Sequence, residues 1–403
     1  MQKSEDAAIP MPLNSEQFIV GNADILAAMP ELKALPPFSN DAVSFLNALS
    51  ALLLKTGKAW SDVATFAFWC RKSALLKEKE KYDDLNHRLG RGIAFHSTPS
   101  NVPVNFAFSF AAGLLAGNAN IVRLPAKDFE QVNVICNAVN ELLNGEFRFL
   151  APYVCMVKYA PDKAVSDMLS AICDVRIVWG GDMTIAEMRR SPLKPRATEI
   201  TFADRHSILV INADEYLKIE NKARTAQDFY NDTFFSDQNA CTSPRIIIWM
   251  GREKEKAKKL FWDNIHALAK EKYTLAPVQA VGKLAAFYRT AAKKDVRLIP
   301  TEDNLITRIT VKELSYDLPD YKYNSGFFFE YDANELKDIC PVCTEKCQTM
   351  TYIGLTKEEL SDFFATAAPK GIDRAVPVGK SMDFSLDWDG FDLIRQMSRK
   401  VVF

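Results

Sequence analysis

The sequence predicts an α/β protein whose central layer is a parallel sheet with helices on both faces. From Gly92 to residue 211, short apolar runs alternate with stretches of helical periodicity. Strands buried on both faces are continuous apolar runs, and amphipathic helices supply the crossovers that parallel strands need. In such a sheet the ligand site lies beyond the carboxyl ends of the strands. The 403 residues suffice for two or three domains.

Helical periodicity dominates the chain up to about residue 85. Apolar residues recur at helical spacing between Val43 and Leu53, and a second helical stretch spans residues 63–76. The run of alternating lysines and glutamates at 77–81 is typical of a solvated helix face. We therefore expect residues 1–85 to form a helical part that packs on the first sheet.

Five apolar runs predict the strands of the first α/β domain, which we place at residues 86–222. The predicted strands are residues 93–96, 120–124, 153–157, 175–179 and 207–211. Helices are predicted at 104–115, from Asp128 to residue 143, and at 165–172. Asp128 is expected to cap its helix, and Gln131, three residues later, to complete a capping box.

A second α/β block is predicted at residues 223–365. Its strands are expected at 245–249, 306–311, 327–331 and 349–355, with a lysine-rich helix at 253–270. The remaining segment, 366–403, ends in the apolar residues Val401, Val402 and Phe403. An apolar terminal segment of this kind is expected to pair with another segment rather than to fray.

Composition and charge exclude several classes of function. Hydrophobic residues make up 48% and charged residues 25% of the chain, as in ordinary globular proteins. The net charge of -1 provides no field that favours nucleic acid or an anionic membrane. The longest nearly apolar stretch, 106–117, is too short for a membrane span, and residues 1–6 show no secretory signal. Eight cysteines are too sparse for a disulfide framework, so we expect reduced thiols in the cytoplasm.

Cys241 is the candidate nucleophile of the sequence. It lies in the polar, turn-rich stretch 237–245, directly before the apolar run 246–249. A thiol in a loop rich in amides and hydroxyls, at the mouth of a strand, is well placed for nucleophilic chemistry. The alternative is a structural cysteine, because most cysteines are small buried hydrophobes. The nearest cation in the sequence that could lower the pKa of the thiol is Arg245.

Two loops after predicted strands of the first sheet are candidates for ligand contacts. In the loop 97–105, Asn101 and Asn105 offer amides where an oxyanion donor is expected. The alternative is that both asparagines satisfy only turn and cap groups. Gly180 and Gly181 follow the strand at 175–179 and permit close backbone approach to a ligand, although most such pairs are ordinary turns. Neither a GxGxxG nor a Walker fingerprint occurs in the chain.

The spacing of Cys340, Cys343 and Cys347 is similar to that of metal ligands. A closed zinc site needs four ligands, and the nearest upstream histidine, His266, is far away in the sequence. Three ordinary loop thiols are therefore the preferred interpretation, and we predict no metal.

Three stretches resemble the LuxC family, the acyl-CoA (long-chain fatty acyl) reductases of the aldehyde dehydrogenase superfamily. They are residues 99–105 with 113–125, residues 237–241 with 243–244, and residues 374–379 with 383–384, 388–394 and 398–399. The resemblance covers the chain from about residue 90 onward. It implies an aldehyde dehydrogenase-like fold, with a Rossmann-type cofactor domain and a second α/β catalytic domain. It also implies that residues 366–403 return to the cofactor domain and carry an oligomerisation strand.

The resemblance assigns catalytic roles to two residues. Cys241 falls on the superfamily's nucleophile, and Asn101 falls on the asparagine whose amide forms the oxyanion hole with the backbone N–H of the cysteine. Phe202 takes approximately the position of the glutamate that activates water in hydrolytic members, with Asp204 and His206 close by as other candidate bases. Without that glutamate, an acyl-enzyme is expected to survive water and to wait for hydride.

The resemblance also implies a set of cofactor-binding residues. They are Pro99, Ser100, Arg123, Pro125, Lys127, Gly180, Gly181 and Asp182. Arg123 falls where NAD-dependent members have a lysine that touches the adenosine ribose. Their glutamate three positions later, which grips the ribose hydroxyls, corresponds here to Ala126, and Lys127 follows. The loss of a carboxylate beside a new cation suits a 2′-phosphate, so NADPH is favoured over NADH.

The implied function is NADPH-dependent reduction of an acyl thioester, either acyl-CoA or an acylated protein, to an aldehyde through an acyl-cysteine. The implied partners are an acyl-protein synthetase and a second copy of the chain, in a dimer that pairs through residues near 395–403. Two other classes stay open. A cysteine thioesterase or acyltransferase would use the same nucleophile, and a non-catalytic binding protein would use only the scaffold.

Overall fold

The computed structural model describes residues 12–100 and 102–403 and divides the chain into two compact units. Unit 1 combines the chain up to Ala203 with Ser385–Phe403, and unit 2 is Asp204–Phe384. The strand predicted at 207–211 to close the first sheet lies in the second sheet instead. The boundary predicted near residue 222 therefore moves to Ala203, and the C-terminal return begins at Ser385 rather than at residue 366.

The bounds of the strands and helices follow in chain order. The strands are β1 (Phe18–Val20), β2 (Arg88–Gly90), β3 (Ile93–Ser97), β4 (Ala119–Arg123), β5 (Val154–Val157), β6 (Val175–Trp179), β7 (Thr198–Phe202), β8 (His206–Asn212), β9 (Pro244–Met250), β10 (Val296–Ile299), β11 (Thr307–Val311), β12 (Phe327–Asp332), β13 (Cys347–Ile353), β14 (Arg374–Pro377), β15 (Asp387–Trp388), β16 (Phe391–Asp392) and β17 (Ser398–Lys400). The helices are α1 (Ala23–Ala28), α2 (Asn40–Thr56), α3 (Ser61–Trp69), α4 (Lys72–Lys79), α5 (Asn105–Leu115), α6 (Glu130–Asn144), α7 (Lys163–Ile172), α8 (Asp182–Met188), α9 (Ala213–Lys218), α10 (Lys222–Asp232), α11 (Lys254–Lys272), α12 (Pro277–Ala291), α13 (Lys357–Ala367) and α14 (Leu393–Met397).

The sheet of unit 1 has the strand order β1-β5-β4-β3-β6-β7. Every pair from β5 to β7 is parallel, and only the edge strand β1 runs antiparallel, against β5. Strands β4 and β5 are added in sequence on one side of β3, and strands β6 and β7 are added in sequence on its other side. The strand order therefore reverses between β3 and β6, which is where open α/β sheets form a ligand crevice. The predicted parallel sheet is confirmed.

Helices α1 to α4 lie in the part of the chain predicted to be helical, and the edge strand β1 is an exception that the prediction missed. The first predicted helix corresponds to α2, whose inward face buries Phe45, Leu46 and Leu49. The stretch predicted as one helix at 63–76 is two helices, α3 and α4. The helix stops because Cys70 caps α3 and Arg71 adopts extended backbone before α4 begins.

The capping box predicted at Asp128 is wrong. Helix α6 begins at Glu130, and its N-cap residue Phe129 provides no side-chain cap. The Asp128 carboxylate instead forms an ion pair with Lys158, which lies just after β5. The side-chain amide of Gln131 donates to the carboxylate of Asp62 in α3 at 3.4 Å, so its partner lies in another helix.

The sheet of unit 2 has the strand order β10-β11-β12-β9-β8-β13-β14. All neighbouring pairs are parallel except the pair of β10 and β11. Strand β9 is central, and one face of the sheet buries Ile246 and Ile248 while the other buries Ile247 and Trp249. Cys241 lies three residues before the first residue of β9, so it stands at the amino end of the central strand of a sheet that is covered on both faces.

The C-terminal segment of unit 1 forms short antiparallel pairs. β15 pairs with β16, and β17 pairs with β2 of the same unit. The predicted terminal strand therefore has a partner within the chain. None of the helices in the described ranges combines the length and apolar character that a bilayer crossing demands.

Candidate active site

Cys241 lies in a turn between α10 and β9 and is half-buried. Asp237 and Gln238, which precede Cys241 in the same loop, both adopt left-handed backbone, with φ values of 49° and 52°. A residue with a side chain pays a steric penalty in this region, so it persists only where the surrounding structure imposes it. Local backbone strain of this kind is concentrated at functional sites.

The side chains of Asp237 and Gln238 provide the contacts that impose this conformation. Gln238 is fully buried, and its side-chain oxygen accepts from the backbone N–H groups of Gly326 (2.8 Å) and Phe327 (3.2 Å) at the start of β12. The Asp237 carboxylate accepts three hydrogen bonds from side chains. The donors are the hydroxyl of Tyr273, the amide of Gln279 (3.1 Å) and the hydroxyl of Ser325 (3.3 Å). The loop is thus fastened to β12 and to the start of α12.

Neighbouring side chains hold the turn at Cys241 itself. Ser207, at the start of β8, donates its hydroxyl to the backbone carbonyl of Cys241 at 2.7 Å. The hydroxyl of Thr242 lies 3.2 Å from the sulfur of Met382, whose side chain is 39% exposed. Met382 lies between residues 374–379 and 383–384, the parts of the third resembling stretch that belong to unit 2, so this region contacts the Cys241 loop, which is the second stretch.

The segment around Met382 is held by a buried carboxylate. Asp232, the last residue of α10, accepts from the backbone N–H groups of Gly379 (2.6 Å) and Ser381 (3.1 Å). Gly379 has a φ of +86°, and a Cβ there would lie 2.7 Å from the Cβ of Asp228, so only glycine fits. Burial raises the pKa of Asp232 to about 6. The C-terminal end of α10 therefore holds the segment that carries Met382. The same helix end leads into the loop that contains Cys241.

Arg245, the fourth residue after Cys241, is a buried cation with only 6% of its surface exposed. Its guanidinium donates to the Tyr323 carbonyl (2.9 Å), to the Asn324 side-chain oxygen (2.8 Å) and to the Gln238 carbonyl. Burial lowers its pKa to about 10, and the charges of Asp204, Cys241 and Asp237 oppose that shift. Arg245 therefore stays charged at neutral pH.

The predicted cofactor residues of unit 1 gather at one edge of its sheet. Pro99 and Ser100 follow β3, Arg123 ends β4, and Gly180 and Gly181 follow β6. The remaining members, Pro125, Lys127 and Asp182, come directly after the same strands, and Asp182 begins α8. Because β4, β3 and β6 are adjacent and parallel, their carboxyl ends meet at this edge, on both sides of the point where the strand order reverses. Apart from its two neighbours in the chain, no described residue has an atom within 4 Å of where a Cβ on Gly181 would be, so the backbone there is open to a ligand.

Arg123 is held at this edge by Tyr159. Its guanidinium lies 4.6 Å from the centre of the Tyr159 ring and donates to the Tyr159 carbonyl at 3.5 Å. Lys127 and Ala126 are exposed, whereas Pro125 is buried. The structure thus places Arg123 at the end of β4 and Lys127 four residues later, with the small side chain of Ala126 directly before Lys127.

The three positions considered for a catalytic base, Phe202, Asp204 and His206, have different surroundings. Phe202 ends β7, and its ring stacks on Trp179 with centroids 3.7 Å apart. Asp204 is exposed and pairs with Lys322 at 3.2 Å. His206 is buried, and its Nε2 lies 3.1 Å from the Val342 carbonyl. An aromatic pair therefore occupies the end of β7.

Cys340 lies in a 3-10 turn that ends at Cys343, and Cys347 is the first residue of β13. The thiol of Cys343 donates to the Ile339 carbonyl at 3.2 Å, and the neighbouring Cys343 and His206 side chains lower the pKa of Cys347. Cys343 and Cys347 are buried, and Cys340 is half-buried. No disulfide joins the eight cysteines, all of which lie in the described part of the chain. Across residues 12–100 and 102–403, no group of three or more His, Cys, Asp or Glu side chains is arranged to hold a metal ion.

Asn101, the predicted oxyanion donor, lies outside the described residues. The loop around it is described up to Ser100 and again from Val102, and Thr98 donates to the Arg123 carbonyl at 2.6 Å. Sequence analysis did not predict roles for Ser207, Asp232 or Met382. The strongest available signal was the position of Met382 between residues 374–379 and 383–384 of the third resembling stretch.

Comparison with known proteins gives matches in both sequence and structure. The family model described as Acyl-CoA reductase (LuxC) matches residues 25–298. Long-chain acyl-protein thioester reductase of Vibrio harveyi is 24% identical over 324 residues, which are 78% of this chain and 64% of that protein. The protein of the same name from Photorhabdus laumondii subsp. laumondii is 23% identical over 180 residues, 44% of this chain and 36% of that protein. The chain thus spans less than two thirds of the length of these relatives.

Solved structures of aldehyde dehydrogenases share the fold. Aldehyde dehydrogenase 21 from Physcomitrella patens superposes with a TM-score of 0.64 at 13% identity, covering 93% of this chain and 88% of that chain. A NAD-dependent benzaldehyde dehydrogenase from Corynebacterium glutamicum superposes with a TM-score of 0.62 at 13% identity, covering 94% and 88%. The predicted aldehyde dehydrogenase-like fold is confirmed.

Proposed function

Because the chain belongs to the LuxC family of acyl-CoA reductases, we propose that it reduces an acyl thioester to an aldehyde through an acyl-cysteine on Cys241. The observation that carries the proposal is the loop of Cys241, whose strained backbone is fastened by Asp237 and Gln238 beside a buried arginine. The names of the relatives support a long-chain acyl group carried on a protein, and acyl-CoA is the alternative donor.

The first half of the reaction builds the acyl-enzyme. The Cys241 thiolate attacks the thioester carbonyl and forms a tetrahedral oxyanion, and the bond to the donor sulfur then breaks. The donor leaves as a thiolate and takes a proton from solvent. The side-chain amide of Asn101 and the backbone N–H of Cys241 are proposed to stabilise the oxyanion, because donors aimed at developing charge lower the barrier most.

A nicotinamide cofactor fits the edge of the unit 1 sheet. The carboxyl ends of β3 and β6 flank the reversal of strand order, the backbone at Gly181 is open, and Arg123 and Lys127 offer positive charge beyond β4. When bound, the reduced cofactor supplies hydride to the acyl carbon. The resulting thiohemiacetal on Cys241 collapses, which releases the aldehyde and regenerates the thiolate. The aromatic pair of Phe202 and Trp179, in place of a carboxylate, favours an acyl-enzyme that water does not consume.

Product analysis tests this proposal. The purified chain is incubated with a long-chain acyl-CoA, with and without NADPH, and the products are identified by mass spectrometry. Aldehyde that forms only with NADPH supports the reductase. Free acid released at the same rate without cofactor would instead identify a thioesterase, and the absence of any turnover or acylation would identify a binding protein.

The cations beyond β4 lead to a prediction about cofactor choice. We propose NADPH rather than NADH, with Lys127 contacting the 2′-phosphate. Lys127→Ala is expected to raise the KM for NADPH about tenfold and to leave the KM for NADH unchanged, because one charge-assisted contact is worth about 1.4 kcal/mol. Steady-state kinetics with both cofactors measure the effect, and Lys77→Ala, at an exposed lysine of α4, is the control. Equal changes for both cofactors would contradict the assignment.

We also propose an acyl-protein synthetase as donor partner and a dimer formed through residues near 395–403. β17 pairs with β2, and beyond it Val402 and Phe403 are 86% and 87% exposed. Exposed apolar side chains of this size are typical of an interface. The double change Val402→Asp and Phe403→Asp is expected to convert a dimer to a monomer in size-exclusion chromatography with light scattering. A monomeric wild-type chain would contradict the dimer.

A further inference from the structure

We infer that Arg245 is the cation that keeps Cys241 in its reactive thiolate form. Both residues belong to unit 2, and four positions separate them in the sequence. The thiolate is the attacking species, and an ordinary thiol with a pKa of about 8.5 is mostly protonated at neutral pH. A buried positive charge nearby favours the ionised form. The inference rests on the proposed function only for the role of Cys241 as nucleophile.

The first supporting observation is that, among the residues the structure describes, no carboxylate forms a hydrogen bond or an ion pair with Arg245. Its three hydrogen-bond acceptors are the carbonyls of Tyr323 and Gln238 and the side-chain amide oxygen of Asn324, all of which are neutral. Within the described ranges its Nε has no hydrogen-bond partner. A buried charge is normally paired with an opposite charge, because desolvation is costly. Here neutral oxygens hold the guanidinium in place, and its charge remains available to a neighbouring anion.

The second observation concerns the charged groups that face Arg245. They are Asp204, ahead of β8, and Asp237 and Cys241 in the nucleophile loop. Asp204 is exposed and pairs with Lys322, and the carboxylate of Asp237 already accepts three hydrogen bonds from side chains. Both carboxylates are therefore occupied elsewhere. Cys241 is the third of these groups, and it lies on the loop whose carbonyl at Gln238 accepts a hydrogen bond from the guanidinium.

The third observation is that the arrangement is fixed before any substrate arrives. Strand β9 carries Arg245, and its bond to the Gln238 carbonyl ties the guanidinium to the loop of Cys241. Interactions between charges are stronger in a buried environment than in water, and salt screens them less. A cation held in this way stabilises the thiolate without reorganisation. The side chain acts through Cys241 and contacts no substrate in this role, so it is a positioning residue.

The pH dependence of Cys241 alkylation tests the inference without acyl donor or cofactor. The full chain is treated with iodoacetamide between about pH 5 and pH 10, and labelling of the Cys241 peptide is measured by mass spectrometry. Cys340, the other half-buried thiol, serves as an internal reference in every sample. The variants are Arg245→Met, which removes the charge, Arg245→Lys, which retains it, and Asn324→Ala, which removes a neutral ligand of the guanidinium.

In the wild-type chain, the alkylation of Cys241 is expected to reach half its maximal rate below about pH 7.5. Arg245→Met is expected to raise this midpoint by at least about one pH unit, a tenfold loss of thiolate at neutral pH. Arg245→Lys and Asn324→Ala should stay near wild type. An unchanged midpoint in Arg245→Met, or an equal shift in Asn324→Ala, would overturn the inference. If Arg245→Met does not fold, a wild-type midpoint at or above about pH 8.5 overturns it. Because no turnover is measured, failure of the reductase proposal gives a separate result.

Discussion

Cys241→Ala is expected to abolish aldehyde formation, with a loss of about 10⁴-fold or more. Without the sulfur there is no acyl-enzyme, and hydride has no activated carbonyl to reach. The rate of NADPH oxidation with a long-chain acyl-CoA measures the loss. Because Cys241 is half-buried in a surface turn and its side chain fills no core position, the variant should unfold at nearly the wild-type temperature. The loss is therefore chemical rather than structural.

Cys340→Ala is the matched control for that experiment. Cys340 is also a half-buried thiol outside the strands, so both variants remove a partly accessible sulfur from unit 2. The control should retain the wild-type rate within about twofold, as is usual for surface changes away from a functional site. If Cys241→Ala retained a tenth or more of the wild-type rate, Cys241 would not be the nucleophile.

The second large effect is expected at Asn101. Asn101→Ala should lower kcat about 10²- to 10³-fold, because loss of one oxyanion donor typically costs about 3 kcal/mol of barrier. The KM for the acyl donor should change little, since the donor acts on charge that develops only in the transition state. Rapid-quench measurement of the acylation step shows the effect before hydride transfer contributes.

Asn105→Ala provides the comparison at the other asparagine of that loop. Asn105 begins α5, and the resemblance gives it no role in the oxyanion hole. Its replacement should change kcat by less than about threefold. Equal losses in both variants would indicate that the loop needs its asparagines for turn and cap contacts, which is the structural alternative, and would remove Asn101 from the oxyanion hole.

Much of the fold could be predicted because local patterns determine it. The apolar runs that became β3, β4, β5, β6 and β9 are short, continuous and buried on both faces, as parallel central strands require. Membership of a sheet is not local. The run at 207–211 has the same apolar pattern whichever sheet it joins, and only its pairing with β9 and β13 assigns it to unit 2. The helix start at Asp128 failed for a similar reason, since Lys158 competes for that carboxylate.

The candidate site could be predicted only in part. Loops at the carboxyl ends of strands identified Gly180 and Gly181, and the family resemblance identified Arg123. The groups that hold the nucleophile loop come from distant parts of the chain: Ser207 precedes Cys241 by 34 residues, and Asp232 precedes its partner Gly379 by 147. Sequence patterns relate residues that are a few positions apart, so they do not predict contacts between residues this far apart in the chain. The buried state of Arg245 likewise depends on Tyr323 and Asn324, and only the folded chain brings them together.

The most direct test of the central claim is the intact mass of the protein after exposure to a long-chain acyl-CoA alone. We expect a gain equal to one acyl group on the wild-type chain and no gain on Cys241→Ala. Subsequent addition of NADPH should return the wild-type mass to its starting value as aldehyde is released. A wild-type chain that never gains the acyl mass, or an adduct that forms equally on Cys241→Ala, would contradict the account.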